Sequence, residues 1–278
     1  TLFGGEPLLY RHCIPLIKHI TSRGLHCVMI TNGSLLAPVA EELVGAGIDE
    51  LNISLDGDAP LHDDIRGLPG LFDRIVAGLD AVAKEKKERN RKKPFINLQC
   101  TINARNYQYL ERMIAVAERV GADSLTYHNL IFLDQQVLAE QKNIDHMLGC
   151  SSGDWAGFAV PANVDAGVVW AQMQRIVSRK HSFSIDMYPN FNEAQLKMYY
   201  GRPDYDPGCR CLSPWVVAYV FPDGKVKPCL NSSFSFGNAF QEPFAQVWNS
   251  ADAVRFRRLL RASKRFPACV RCTELFRY

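Results

Sequence analysis

Leu51-Asn52-Ile53-Ser54-Leu55-Asp56-Gly57 is a short apolar run that passes straight into a polar turn. That is how a strand of a parallel sheet hands over to the loop at its carboxyl end. The same unit recurs on both sides. Upstream, Cys27–Thr31 runs into Thr31-Asn32-Gly33, and the opening Thr1-Leu2-Phe3 runs into Gly4-Gly5-Glu6-Pro7. Downstream, Ile96–Ile102 ends at Asn103, and Ser124–Leu130 follows. Apolar residues at three- and four-residue spacing predict helices between these strands, at about Tyr10–Arg23, Pro38–Ala46, Leu71–Lys87 and Tyr107–Val120. Strand and helix alternate, so right-handed crossovers build a parallel sheet, as a (β/α) barrel or an open doubly wound array. In either case the polar motifs at the strands' carboxyl ends fall together in one site.

From 132 to 208 the rhythm changes. The sequence reads there as helices near Asp134–Met147 and Val164–Arg179 and a strand at Phe183–Met187, a substrate-shaping insertion with the barrel's last helix. Its aromatic residues Trp155, Phe158, Tyr188, Phe191, Tyr199 and Tyr200 serve equally as a groove floor or as core. Gly201–Gly208, rich in Pro and Gly, marks a boundary. The expected domains are therefore 1–200 and 209–278.

The chain has 278 residues, 47% apolar, with a formal charge of +3. It is long enough to bury a full core. The basic residues are scattered apart from Lys84–Lys93, read as a solvated helix end, so no nucleic-acid footprint is expected. No apolar run reaches the roughly 20 residues that span a bilayer. The expectation is a soluble, cytoplasmic protein without membrane or nucleic-acid partners. Nine cysteines without a secretory leader point to reduced thiols. Cys13, Cys27, Cys100 and Cys150 stand apart and read as small buried hydrophobes, while five crowd the last 70 residues.

Those five carry the chemistry. Cys211 and Cys229 flank the turn Pro222-Asp223-Gly224, between Val216–Phe221 and Lys225–Pro228, so a hairpin brings them together. Cys269-Val270-Arg271-Cys272 supplies a second pair. Four thiolates hold either a structural zinc ion or an iron–sulfur cluster. Zinc ribbons favour two tight knuckles, and here only one pair is tight, which weights the reading toward iron–sulfur. Cys209 could stand in for Cys211.

These residues resemble the radical S-adenosylmethionine (SAM) superfamily, in its members with a C-terminal SPASM or twitch auxiliary-cluster domain. Cys211-Leu212-Ser213-Pro214-Trp215 followed by PDGKVKPC is similar to the start of that domain, and Cys269–Cys272 to its closing pair. GGEP, TNG, SLDG and His62-Asp63-Asp64-Ile65-Arg66-Gly67 occur in the family's order. The resemblance implies an α/β fold: a partial (β/α)6 TIM-like barrel lacking its first β/α unit, plus a small C-terminal hairpin and helix domain. It implies that Gly4, Gly5 and Glu6 line the amino group of SAM, that Ser54 and Asp56 face its ribose or carboxylate, that Arg66 meets its carboxylate and Asn103 its ribose edge. Cys211, Cys229, Cys269 and Cys272 would hold an auxiliary [4Fe–4S] cluster. The family's C-x3-C-x2-C loop, which binds the catalytic [4Fe–4S] cluster, is not among these 278 residues. The expectation is a chain cut short at its N-terminus, inactive by itself.

The complete protein would cleave SAM to a 5′-deoxyadenosyl radical that takes a hydrogen atom from a peptide, oxidised or crosslinked, with the auxiliary cluster as electron acceptor or substrate anchor. A flavodoxin- or ferredoxin-like protein would donate electrons. Two alternatives stand beside this: a dehydrogenase of a small alcohol or aminocyclitol, and a non-catalytic scaffold with a structural zinc. No catalytic acid or base is assigned. His62, Asp58 and His128 fall near strand ends, where surface or capping roles are expected.

Overall fold

The computed structural model describes residues 1–277. It forms two compact units, one of residues 1–130 with 164–193, the other of 131–163 with the chain from 194 onward. This partition differs from the expected division at 201–208. The segment 131–163 joins the C-terminal unit because Leu148 packs into that unit's aromatic core and Gln141 Oε1 accepts the backbone N–H of Ala268 at 3.1 Å.

In the first unit β1 (Val28–Thr31), β2 (Glu50–Ser54), β3 (Phe95–Ile102), β4 (Ser124–Asn129) and β5 (Ser184–Tyr188) lie side by side in sequence order, every pair parallel. Leu2 adds a parallel bridge to Met29 beyond β1, through Leu2 N to Val28 O and Ile30 N to Leu2 O. The crossovers are α1 (Cys13–Thr21), α2 (Leu36–Gly45), α3 (Ala59–Arg66), α4 (Leu71–Glu88) and α5 (Arg112–Arg119). The expected helix at 107–120 begins later because Asn103 and Asn106 fold the chain into turns, Asn106 Oδ1 accepting from Asn103 N.

Side chains alternate across each strand. Met29, Leu51, Ile53, Leu98, Cys100, Leu125 and Tyr127 are fully buried on the helix-covered face, where the Tyr127 hydroxyl donates to Leu110 O at 2.8 Å. The opposite face is polar: Asn97 Nδ2 donates to Asn52 Oδ1 at 2.8 Å, and Asn97 Oδ1 accepts from Thr126 Oγ1 at 3.2 Å. On the helical side α2 and α4 touch closely at Gly78, where a Cβ would lie 2.6 Å from Leu36 Cβ.

The second unit holds α6 (Gln135–Leu148), while α7 (Ala166–Val177) returns to the first. The chain crosses into this unit at the first residue of α8 (Glu193–Gly201), and then come α9 (Ser213–Val216), the antiparallel strands β6 (Tyr219–Val220), β7 (Lys225–Lys227) and β8 (Gly237–Asn238), α10 (Phe244–Trp248) and α11 (Ala251–Ser263). Phe234, Phe236, Phe256, Phe266, Val226, Val247 and Leu260 form its core. Each buried Phe side chain contributes about 2–3 kcal/mol. The hairpin turns at Gly224, whose φ of +83° lies in the left-handed region and whose missing Cβ would sit 2.4 Å from Asn238 Oδ1. That approach lets Asn238 Nδ2 donate to Asp223 O at 2.8 Å, closing the turn onto a third strand that the sequence did not disclose.

Candidate functional site

The loops after the parallel strands bind one another through named side chains. Glu6 is the first hub. Its Oε1 accepts from Leu8 N at 3.1 Å and from Thr31 Oγ1 at 2.7 Å, and Oε2 accepts from Asn32 N at 2.8 Å. The GGE and TNG motifs are thus one unit, tied by a carboxylate that still has acceptor capacity on Oε2. Gly4 and Gly5 have φ of +101° and +55°, and open space lies where a Cβ would stand on either. A ligand can therefore approach this backbone without meeting a side chain.

Asp56 is the second hub and is buried. Its Oδ2 pairs with Arg66 Nη2 at 2.7 Å, and Oδ1 accepts from Thr101 N at 2.9 Å. Its backbone N donates to His62 Nδ1 at 3.1 Å, and its carbonyl accepts from Asn106 Nδ2 at 3.0 Å. Asn106, 1% exposed, also donates to Thr101 O, so it locks the loop after β2 to the loop after β3. The carboxylate of Asp56 thus serves Arg66, whose side chain is 36% exposed on its outer edge. Asn103 folds onto its own turn, Oδ1 accepting from Arg105 N at 2.9 Å and Nδ2 donating to Thr101 O at 3.0 Å. Ser54 ends β2, opposite Gln99 in the register.

His62 is not a surface group. It is wholly buried on α3, its Nδ1 accepts a proton bond, and its buried Nε2 has no partner among the described residues. Burial lowers its pKa below the usual value. His128, near the end of β4, has a buried Nε2 without a partner as well; its ring stands edge-on to Tyr188, and burial lowers its pKa. Asp58 precedes α3 without capping it and pairs with Arg112 at 3.1 Å.

In the second unit the four expected thiols face one cavity of about 220 Å3. Cys211, Cys229, Cys269 and Cys272 line it together with Pro214, Leu260 and Phe266, whereas Cys209 lies outside, its Sγ against Pro207 O at 3.3 Å. Burial, then mutual repulsion, pushes the Cys229 thiol up to about 11 and Cys272 to about 12, while Cys269 rises well above its ordinary value and Cys211 rises as well. Four thiols crowded in an apolar hollow give up their protons only to a strong cationic centre. A further polar atom in this lining, Glu274 Oε2, is buried without a hydrogen-bond partner among the described residues. A single zinc ion at Zn–S distances of about 2.3 Å draws its thiolates to within about 3.8 Å of each other. Among the described residues no trio of His, Cys, Asp or Glu could hold one ion. Four thiols around one apolar hollow are the donor set of an iron–sulfur cluster as well as of a zinc ion.

Arg271, between the CxxC thiols, is buried to 2% exposure. Its Nε donates to Tyr199 O at 3.0 Å and Nη2 to Arg202 O at 2.8 Å, and its guanidinium lies over the rings of Phe132, Tyr205 and Tyr199. Tyr199 and Trp155, read from the sequence as groove or core, are both buried.

Residues 1–122 match the radical SAM superfamily, and residues 209–273 match the SPASM iron–sulfur cluster-binding domain. The chain is 28% identical over 265 residues to an AdoMet-dependent heme synthase of Methanosarcina barkeri, covering 91% of this chain and 69% of that protein. It is 31% identical over 261 residues to an AdoMet-dependent heme synthase of Oleidesulfovibrio alaskensis, covering 91% of this chain and 62% of that protein. It therefore spans about two thirds of the length of these curated relatives. The structure is similar to Streptococcus suis SuiB bound to its precursor peptide SuiA, at a TM-score of 0.61 and 16% identity, over 98% of this chain and 58% of that one. SAM and iron–sulfur clusters are the cofactors that go with these two matched regions. With an α/β parallel sheet carrying the ordered loop motifs and four thiols gathered in a C-terminal hollow, the chain carries a radical SAM region over residues 1–122 and a SPASM iron–sulfur cluster-binding domain over residues 209–273.

Proposed function

We propose that this chain is the greater part of an enzyme that abstracts a hydrogen atom from an organic substrate using SAM. The observation that carries the reading is the convergence of Cys211, Cys229, Cys269 and Cys272 on one apolar cavity. Those four side chains are the ligands of an auxiliary [4Fe–4S] cluster; the hairpin expected to carry one pair leads only into Cys229, Cys211 comes from the chain before α9, and the CxxC turn supplies the other two. In the first unit the open backbone at Gly4 and Gly5 receives the amino group of SAM, with Glu6 holding that loop on Thr31 and Asn32. Arg66 and Ser54 contact the carboxylate and ribose side. Asp56 acts through Arg66, fixing the guanidinium, and Asn103 shapes the loop that bounds the ribose edge. When bound and reduced, SAM supplies the hydrogen-abstracting radical, and the protein supplies orientation and exclusion of water.

For the substrate, the relatives at 28% and 31% identity over 91% of the chain favour a heme precursor. A peptide is the second reading, motivated by the fold shared with SuiB, which binds a precursor peptide. Electrons would come from a flavodoxin- or ferredoxin-like donor.

The test is anaerobic reconstitution of the chain with iron and sulfide, beside a Cys269→Ala, Cys272→Ala variant. About four irons with broad visible absorbance in the chain, lost in the variant, are expected. A colourless protein holding one zinc overturns the cluster assignment in favour of a structural site. On the complete protein, release of 5′-deoxyadenosine with a heme precursor, and not with a peptide, decides the substrate class.

A further inference from the structure

We infer that Glu274 is a built-in negative charge beside the auxiliary cluster that holds its reduction potential low. Glu274 lies two residues beyond Cys272, on the turn Thr273–Phe276, and lines the same cavity as the four thiols. Its Oε1 pairs with Arg277 at 3.1 Å. Its Oε2 is buried and has no hydrogen-bond donor among the described residues. An unpartnered carboxylate oxygen in an apolar hollow is costly, and a protein usually supplies it with a donor. Here none is supplied among the described residues, and the carboxylate shares its cavity with all four thiols.

The inference rests on the cluster reading given above and concerns the energy of the bound group. Adding one electron to a site already ringed by thiolates deepens its negative charge. A fixed carboxylate on the same wall opposes that step through a medium of low dielectric, and cluster potentials follow local charge. Arg277 offsets the carboxylate only in part, because it meets the other oxygen and its side chain is 51% exposed to screening solvent. Arg271, the other charge on this segment, is turned to the carbonyls of Tyr199 and Arg202 and lines a different hollow with Phe132 and Tyr200. Asp145 lines the same cavity but its carboxylate is taken up by Ser152 and Gln141, and Lys227, two residues before Cys229, stands over the ring of Phe221. Glu274 is the carboxylate of the lining with a buried oxygen that no donor among the described residues meets.

The experiment is an EPR-monitored redox titration of the reconstituted chain and of Glu274→Gln, Glu274→Asp and Arg277→Gln. With unchanged iron content, Glu274→Gln is expected to move the midpoint potential upward. Glu274→Asp should stay near the parent, and Arg277→Gln should move it downward. An unchanged midpoint in Glu274→Gln, at full iron loading, overturns the inference. So does loss of iron in Glu274→Gln with retention in Glu274→Asp, because the carboxylate would then be a ligand and not a neighbour. If the unsubstituted chain binds no iron at all, it is the cluster reading that has failed, and iron analysis reports this before any potential is measured.

Discussion

Replacing Asp56 with Asn tests the loop network most directly. The amide keeps the oxygen that accepts from Thr101 N but turns an NH2 toward Arg66 Nη2, so a donor faces a donor where a 2.7 Å charge-assisted bond stood. Hydrogen bonds to charged groups contribute about 1.5–3 kcal/mol, and leaving a buried partner unpaired costs more. Arg66 is 36% exposed, so water can reach its freed edge and the loss falls toward the lower end of that range. We expect about 2 kcal/mol of lost stability for Asp56→Asn, measured by denaturant unfolding at pH 7. Arg66→Gln should cost a similar amount. The double variant should cost about as much as either single one, since both remove the same bond. SAM affinity, read by equilibrium dialysis on the complete protein, should fall in all three. If Asp56→Asn leaves stability within about 0.5 kcal/mol of the parent, or if the two losses simply add, the pair is not the fastener described here.

Gly224→Ala places a Cβ at a φ of +83° and 2.4 Å from Asn238 Oδ1, displacing the Asn238–Asp223 bond; we expect about 2 kcal/mol of destabilisation and weaker iron loading, read by unfolding and iron assay. His62 and His128 both have pKa values lowered by burial, so the unfolded chain binds their protons first. The stability each contributes is complete above the unfolded value of about 6.5 and is lost as pH falls below it. Unfolding free energy measured from pH 7.5 to 5 should therefore decline. In His62→Gln that decline should be shallower, and an identical slope would exclude His62 as a contributor.

The strands of the first unit were legible because apolar residues recur at every second position of Leu51–Leu55 and Ile96–Ile102, which lie where expected, matching strands Glu50–Ser54 and Phe95–Ile102 to within one residue. The order of the loop motifs was legible for the same reason, since each follows a strand end. What the motifs do to each other was not. Asp56 and Arg66 were read as two separate ligand contacts, yet the structure pairs them, because a ten-residue separation hides a contact made when α3 folds back over the end of β2. The signals for α3 were present in Pro60 near its start and Gly67, left-handed at φ of +64°, at its end. Asn106 had no motif around it, and its role as a tie between two loops exists only once β2 and β3 are adjacent. The four cavity thiols were legible from spacing, and Cys209 is separated from Cys211 by the side of the chain it faces. The membership of 131–163 in the second unit was not legible, since it depends on contacts with residues more than a hundred positions away.

The setting of Arg271 bears on how the thiol hollow is assembled. Its guanidinium is clamped by two main-chain carbonyls and three aromatic rings, none of which needs a bound ion. The Cys269–Cys272 turn is therefore anchored by its neighbours before any iron arrives, while Cys229 follows the short hairpin closed at Gly224 and Cys211 precedes α9, its N–H bound to Lys264 O at 3.0 Å. A carrier handing over iron and sulfide meets a cradle whose CxxC wall is already held in place by protein contacts alone.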